Sequence, residues 1–366
     1  MKHGKKGELL WRICIFCLLI LLGRQADAEE SAAEDFQFYY QFLNEDQREL
    51  YNNVIEAAKR YGTAVDVNRL SAAQTEQAYL AVYYDHPELF WLSSGYQYWS
   101  DGNDHVTGIE MQYNTTWEQK EYQNDQIEAA IQEILYEVDY GQDTYGKIKS
   151  VYEYLINRVE YVPESEYNQD IRSVFLNWES VCTGYTKATQ VLLQRMGIFC
   201  TCVRGNANGG NHAWNLVQID DEYYYVDTTW GDPLYLNDSG WYEGIDYTYL
   251  CCTEEVLFRT HQPEDMAILP ECHSQLYNYY QMNGMYLESG DWDVIYQYVM
   301  EIIQWGENEA VMNFPSEEQY MLAKINLLDC GLLDELMNQY LNFSGEGQVS
   351  FTYEQRDDEL VFRILW

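Results

Sequence analysis

Cys182 combines a residue type and a position that could support covalent catalysis. From it, Tyr185, Leu192 and Met196 recur at helical spacing and Gly197 ends the pattern, so the cysteine is predicted to open a helix. The unpaired backbone amides of a helix N-terminus favour a thiolate over a thiol and can donate to an oxyanion. Cys182 is therefore a candidate nucleophile, with a purely structural cysteine as the alternative unless a base lies beside it.

The candidate base is His212, which lies with Asp227 in a predicted β-hairpin. If Asp220-Asp221 form a two-residue turn, His212 stands opposite Thr229 and is a diagonal neighbour of Asp227 on the same sheet face. That separation is within reach of an imidazole–carboxylate hydrogen bond. A four-residue loop in the same register keeps this arrangement, whereas a three-residue loop puts the two side chains on opposite faces.

These three residues fit the roles of a cysteine catalytic triad. Cys182 would attack an acyl carbon, His212 would take the thiol proton and later protonate the leaving group, and Asp227 would hold the imidazole in one tautomer. Five further residues are candidates for an oxyanion donor or a wall of the cleft, with loop or core packing as the alternative: Asn177, Trp178, Thr183, Trp214 and Trp230.

Four short motifs contain or separate these residues, in a fixed order along the chain. They are Cys-Thr-Gly-Tyr-Thr-Lys-Ala from position 182, Arg-Gly-Asn-Ala-Asn-Gly-Gly from 204, His-Ala-Trp-Asn from 212 and Asp-Thr-Thr-Trp-Gly-Asp-Pro from 227. Over residues 144–235 the chain resembles the bacterial secreted transglutaminase-like superfamily. The resemblance implies a papain-like α+β core, in which a helix with the cysteine at its N-terminus packs on an antiparallel sheet. It also implies a Cys-His-Asp triad, here Cys182, His212 and Asp227. Members of the family include protein cross-linkers, peptidases, amide hydrolases and proteins without demonstrated activity.

Two departures from the animal cross-linking members bear on the predicted chemistry. The residue after the nucleophile is Thr183 rather than tryptophan, and the sequence contains no EF-hand loop. Calcium-dependent cross-linking is therefore not implied, and neither a cofactor nor a metal is predicted. One group of later residues invites a zinc interpretation, but its spacings match no common zinc pattern: Cys251, Cys252, His261, Cys272 and His273.

Residues 1–28 are predicted to be a secretory signal peptide. Basic residues from Lys2 to Arg12 precede an apolar run over 13–22, and Ala26-Asp27-Ala28 supplies a small-x-small cleavage site. The apolar run is short for a membrane span, and an uncleaved anchor is the alternative. The rest of the chain is predicted to form an N-terminal α+β region over 29–140, the catalytic core over 141–274 and a small C-terminal α+β domain over 275–366.

The chain is strongly acidic, with 21 basic and 60 acidic residues. Residues 1–28 hold five of the bases and two of the acids, so 16 basic and 58 acidic residues follow them and the net charge after cleavage is −42. Such a surface repels nucleic acid and anionic membranes and suits a soluble extracellular protein. Nine cysteines become seven after cleavage, which fits one free thiol with up to three disulfides, although a chain of 366 residues does not require them.

The sequence thus predicts a secreted acidic enzyme that transfers or hydrolyses acyl groups and is not an integral membrane protein after cleavage. Its substrate would be a protein or peptide, attacked at a glutamine side chain or a peptide amide, with cell-wall peptide as one candidate. Water is preferred over an amine as the acceptor, because nothing in the sequence marks a lysine-binding site. The alternative is a catalytically silent binding or scaffold protein for a cell-surface glycan or peptide.

Local patterns predict many of the regular elements. Capping-box pairs at Asn44/Gln47 and Ser71/Gln74 predict two helices near the N-terminus. Further elements are helices over 117–137, 144–159 and 292–305, strands over 106–113, 285–287 and 310–314, and a hairpin over 349–366.

Overall fold

The computed structural model describes residues 36–103, 105–138, 142–232 and 244–366; the predicted signal peptide lies outside them. The chain divides into two compact units. The first comprises the described residues of Met1–Gly141, Val162–Cys202 and Asp265–Ile268, and the second comprises those of Gln142–Tyr161, Val203–Glu264 and Leu269–Trp366. Both units mix helices with antiparallel strands, which confirms the predicted α+β class. Each unit combines segments from more than one of the predicted domains, and the division at 29–140, 141–274 and 275–366 stays a prediction.

The first unit opens with helices and a three-stranded sheet. Both predicted capping boxes form, at Asn44/Gln47 and at Ser71/Gln74, and each N-cap contributes about 1 kcal/mol. The strands pair antiparallel in the order β1-β3-β2. The elements are α1 (Glu45–Lys59), β1 (Ala64–Leu70), α2 (Ala72–Asp85), β2 (Leu92–Ser100), β3 (Val106–Tyr113) and α3 (Trp117–Glu137).

The chain next contributes α4 (Thr144–Arg158) and the short strand β4 (Glu160–Tyr161) to the second unit, and then returns to the first. There, a π-helical turn and the short strand β5 (Glu179–Ser180) lead into α5 (Cys182–Arg195). Residues 184–193 of α5 are all buried. The side-chain amide of Gln190 donates to the main-chain carbonyl of Tyr84, in the last turn of α2, at 2.9 Å. The helix that starts at Cys182 is therefore held inside the first unit.

A four-stranded antiparallel sheet forms the centre of the second unit. Its strands follow the order β8-β7-β6-β9, and β6 continues into this sheet from the first unit. Asn208 and Gly209, with φ of 47° and 84°, form the two-residue turn between β6 and β7, a turn whose twist matches that of the flanking strands. The elements are β6 (Cys200–Ala207), β7 (Gly210–Ile219), β8 (Glu222–Val226), α6 (Glu254–Leu257) and β9 (His261–Pro263).

The C-terminal part of the second unit is a three-stranded antiparallel sheet covered on one face by helices. The strands follow the order β10-β12-β11, and Ala310, Met312, Phe362 and Ile364 pack into an apolar cluster with the helices. The predicted strand over 285–287 is wrong, because only Tyr286 pairs, as an isolated bridge. The elements are α7 (Tyr279–Met282), α8 (Trp292–Trp305), β10 (Glu309–Asn313), α9 (Glu317–Lys324), α10 (Leu332–Ser344), β11 (Thr352–Arg356) and β12 (Val361–Leu365).

None of the described helices combines the length and the apolar character that crossing a bilayer requires.

Candidate functional site

The β7–β8 hairpin has the register that the sequence predicts. Ile219 pairs with Glu222 and Asn215 pairs with Val226, so the turn contains two residues. Asp220 has a φ of 54°, a left-handed conformation that aspartate tolerates in tight turns. Because side chains alternate along a strand, this register brings His212 of β7 and Asp227, the residue after β8, to the same face.

His212 and Asp227 form the predicted hydrogen bond. His212 Nε2 lies 2.6 Å from Asp227 Oδ2, and the two side chains are almost completely buried, at 5% and 0% exposed. The other carboxylate oxygen, Oδ1, accepts hydrogen bonds from the main-chain amides of Thr229 at 3.0 Å and Trp230 at 3.1 Å. The carboxylate is thus fixed by its own turn and presents Oδ2 to the imidazole.

A second imidazole, that of His261, also contacts Asp227. Its Nε2 lies 3.1 Å from the same Oδ2 atom, and its Nδ1 lies 2.8 Å from the hydroxyl of Thr260. An ionised carboxylate only accepts hydrogen bonds, so each imidazole donates from Nε2. Nδ1 also lies 3.3 Å from the carbonyl oxygen of Leu257, so this nitrogen can accept from the Thr260 hydroxyl or donate to the carbonyl. A single carboxylate oxygen of Asp227, Oδ2, therefore accepts hydrogen bonds from two histidines.

The sequence does not predict this role of His261. The residue reaches Asp227 because β9 pairs with β6 and sets His261 beside Ala207. β9 has three residues and no alternating pattern, so local periodicity carries no signal for it. The only hint in the sequence is that His261 is one of the chain's six histidines, and its grouping with nearby cysteines pointed to a different chemistry.

The electrostatic environment keeps Asp227 ionised. Burial alone would raise the pKa of the carboxyl, because desolvation disfavours the charged form. The charge of His212 and the hydrogen bonds from His212 and His261 outweigh that penalty and hold the pKa well below its usual range. At neutral pH the aspartate is therefore an acceptor for both imidazoles.

The same three side chains are the candidate metal-ligand group among the described residues. Their geometry fits hydrogen bonds better, since the two nitrogen–oxygen distances are 2.6 and 3.1 Å. Two ligand atoms on a tetrahedral zinc ion would stand about 3.3 Å apart. The cluster is therefore a hydrogen-bonded His-Asp-His group.

Cys182 is the first residue of α5, as predicted. It is a free thiol of intermediate exposure. No side chain caps this helix, and no acceptor for the main-chain amides of Cys182 and Thr183 is recorded among the described residues. These amides can therefore donate to a negatively charged oxygen. Cys182 belongs to the first unit and His212 to the second, so the pairing of thiol and imidazole stays a prediction.

Close packing fixes the start of α5. A Cβ atom at Gly184 would lie 1.9 Å from Ser180 Oγ and 2.4 Å from Ser173 Oγ, and those two hydroxyls are hydrogen-bonded to each other at 2.7 Å. Only glycine fits at this position. The Cys-Thr-Gly sequence therefore has a steric cause, because the glycine lets the first turn of the helix settle on β5 and the π-helical turn.

The remaining candidates have different surroundings. Trp214 is fully buried and lies 5.1 Å from the ring of His261, measured between centroids, and Trp230 lies 4.5 Å from it. Both tryptophans thus pack around the histidines. Asn177 is exposed and donates weakly to the carbonyl of Glu166 at 3.4 Å, while Trp178 has a left-handed backbone with φ of 58°. Their role as oxyanion donors stays a prediction.

The seven cysteines of the described chain are all free thiols. Cys200 and Cys202 are buried on β6 as packing residues. Burial raises the pKa of Cys272 to about 12 and moves those of Cys251 and Cys252 well above the usual value, so these thiols are inert near neutral pH. Of these seven cysteines, Cys182 is partly accessible to solvent and Cys330 is exposed, whereas the other five are buried.

Residues 132–228 match the Transglutaminase-like superfamily. This segment includes α4, α5, the strands β6 to β8 and all three triad candidates. The segment resembles a transglutaminase-like core, which confirms the predicted resemblance and the α+β class. At the level of this superfamily the match supports a thiol-dependent enzyme. No curated protein matches the chain.

Several solved structures align with parts of the chain at low similarity. A structure of a TGase shares 15% identity over 44% of this chain and 49% of its own, with a TM-score of 0.27. A candidate cysteine protease from Cytophaga hutchinsonii shares 13% over 37% and 61%, with a TM-score of 0.25. A candidate protease from Parabacteroides distasonis shares 10% over 36% and 30%, with a TM-score of 0.24. The chain spans about half the length of the first of these, 49%, and TM-scores this low establish no common overall fold.

Proposed function

We propose that the protein is a secreted, thiol-dependent enzyme that hydrolyses or transfers acyl groups of protein or peptide amides. Cys182 is the nucleophile, His212 is the base and Asp227 orients the base. The observation that carries the proposal is the 2.6 Å contact between His212 Nε2 and Asp227 Oδ2 within the transglutaminase-like segment. Secretion is proposed from the signal-peptide pattern of residues 1–28.

The contact with Asp227 decides which ring nitrogen of His212 acts as the base. Since Nε2 donates to the carboxylate, the lone pair belongs to Nδ1. Nδ1 takes the proton of the Cys182 thiol, and the thiolate attacks the carbonyl carbon of the amide. The imidazolium returns that proton to the amide nitrogen, the C–N bond breaks, and ammonia or an amine leaves while the acyl group remains on sulfur as a thioester.

Water completes the cycle. His212 Nδ1 removes a proton from the water whose oxygen attacks the thioester carbon, the C–S bond breaks, and the proton returns to the departing sulfur. A carboxylic acid is released and the thiol is regenerated. An amine in place of water would give a new amide. The main-chain amides of Cys182 and Thr183 are the proposed donors to the oxyanion in both steps.

The proposal is tested by the rate at which iodoacetamide alkylates Cys182 across a range of pH, followed by peptide mass spectrometry. No substrate is needed, and the exposed thiol of Cys330 is an internal reference in the same sample. We expect Cys182 to react well below about pH 8, where an ordinary thiol is mostly protonated, and to lose that reactivity in His212→Ala. Labelling of Cys182 that follows Cys330 at every pH, with no effect of His212→Ala, would overturn the proposal.

A binding protein without turnover is the second candidate function. It is favoured by a cavity of about 660 Å³ in the second unit, which is lined by aromatic and charged side chains and includes none of the triad residues. Ammonia release from glutamine-containing peptides separates the two candidates. An enzyme loses this release in Cys182→Ala and keeps its fold, whereas a binding protein shows no release before or after the substitution.

A further inference from the structure

A cavity of the second unit lies on the charged face of the C-terminal sheet. It has a volume of about 660 Å³, a size typical of small-ligand pockets. The opposite face of the same sheet packs against the apolar cluster of the C-terminal helices. Along each strand the side chains alternate between this apolar cluster and the floor of the cavity, because successive side chains point to opposite faces. Val311 of β10, Arg363 of β12 and Glu354 of β11 are cross-strand neighbours on this floor.

The arginines on the floor are already neutralised. Arg363 contacts the carboxylates of Glu309 and Glu354. Arg356 contacts Asp246 as well as Glu354, at 2.9 Å, and also Glu359 at 2.9 Å. Two guanidinium groups thus face four carboxyl groups. Burial and the nearby Asp246 raise the pKa of Glu359 to about 8, so the other three carry most of the negative charge near pH 7. The floor holds no cationic group left over for an anionic ligand.

One wall of the cavity adds negative charge that is not neutralised. Tyr298, Glu301 and Trp305 of α8 recur at spacings of three and four residues, so they share one face of the helix. Tyr298 is anchored, since its hydroxyl donates to the carbonyl of Val311 at 2.7 Å. Within the described chain, Glu301 and the nearby Glu307 have no recorded ion-pair partner. Trp305 is 73% exposed and presents its ring at the rim.

Two tyrosine rings form another part of the lining of the cavity. Tyr247 and Tyr279 stack with centroids 3.7 Å apart and an angle of 6° between their planes, and both line the cavity. The face of an aromatic ring is electron-rich and attracts cations. Lys149 already lies near Tyr247, with its Nζ 5.7 Å from the ring centroid. The cavity therefore combines aromatic rings with an excess of carboxylates.

We propose that this cavity binds a lysine or arginine side chain of a peptide, independently of the chemistry at Cys182. An ammonium or guanidinium group would lie between the ring of Trp305 and the carboxylates of Glu301 and Glu307, while the apolar stem of the side chain packs on the wall. An anionic ligand would be repelled. A neutral sugar would stack on the rings but would leave the excess negative charge uncompensated. The net charge of −42 after residue 28 attracts cationic peptides over longer distances.

Calorimetric titration of the full-length protein tests this binding site. The titrant is the end-blocked pentapeptide Gly-Lys-Gly-Lys-Gly, and the control is the same peptide with both lysines acetylated, which removes the charge and keeps the stem. The protein carries Cys182→Ser, so that no acyl transfer interferes. We expect binding that weakens with added salt and is lost on acetylation. Equal binding of the acetylated peptide would overturn the proposal.

Three variants locate the site. Glu301→Gln and Trp305→Ala should each weaken binding about threefold to tenfold, the loss expected for one charge contact or one cation–π contact. Glu335→Gln, which removes an exposed carboxylate on α10 outside the cavity, should leave the affinity unchanged. Equal losses in Glu301→Gln and Glu335→Gln, with no loss in Trp305→Ala, would mean that only the overall charge matters, and the site would be rejected. Binding of chitotetraose that depends on Trp305, without binding of the lysine peptide, would reassign the cavity to neutral sugars and overturn the proposal.

Discussion

The hydrogen bond between His261 and Asp227 gives the sharpest prediction for the His-Asp-His group. Replacing His261 with leucine removes a donor that lies 3.1 Å from a buried carboxylate oxygen and leaves His212 as the only side-chain donor recorded for Asp227 in the described chain. A hydrogen bond to a charged group contributes about 1.5–3 kcal/mol. We therefore expect His261→Leu to lower the free energy of unfolding by about 1.5–3 kcal/mol. His261→Gln, which keeps an N–H donor, should recover part of that loss.

Urea unfolding at pH 7 measures this effect, and a double-mutant cycle with Asp227→Asn isolates it. In the Asp227→Asn background the acceptor is neutral, so His261→Leu should cost less than in the parent protein. His273 provides a matched control, since its side chain is 66% exposed and its replacement by leucine should change stability by under about 0.5 kcal/mol. If His261→Leu costs as little as the His273 control, or the same in both backgrounds, the carboxylate is not held by the second imidazole.

Three further predictions concern packing, ionisation and register. Gly184→Ala should destabilise the protein by about 2 kcal/mol or more through the clash with Ser180, measured as a lower urea midpoint; an unchanged midpoint contradicts the packing. The lowered pKa of Asp227 stabilises the fold above the ordinary aspartate pKa of about 3.9, and that stability is lost as pH falls through the folded-state pKa. The difference in the free energy of unfolding between the parent protein and Asp227→Asn should therefore become smaller below about pH 4. A difference that does not change with pH refutes this prediction. One glycine inserted between Asp220 and Asp221 should abolish the fast alkylation of Cys182, whereas two glycines should preserve it.

The sequence predicts features that depend on short-range rules. The β7–β8 register follows from the even number of residues in the turn at Asp220-Asp221, and the structure confirms this register. The starts of α1 and α2 follow from capping pairs that lie three residues apart and also form. The start of α5 at Cys182 is equally local. In each case the information lies within a few residues of the feature.

Features that depend on distant segments escape the same reasoning. His261 reaches Asp227 only because β9 pairs with β6, and the backbone of a three-residue strand does not specify its partner. The cavity is assembled from the segments around Tyr247 and Tyr279 together with α8 and the C-terminal sheet. No local pattern in the sequence marks a cavity that is assembled from such distant segments.

The turn between β7 and β8 also has an evolutionary consequence. His212 and Asp227 are joined by a single hairpin, so their hydrogen bond can persist wherever that hairpin folds. Cys182 begins a helix in the other unit, and its side chain has no hydrogen bond or ion pair recorded among the described residues. A lineage that loses the thiol therefore gives up little stability and retains the buried histidine and aspartate as ordinary core residues. Under the proposed mechanism, one substitution at position 182 removes the chemistry and leaves the hydrogen bond between His212 and Asp227 in place.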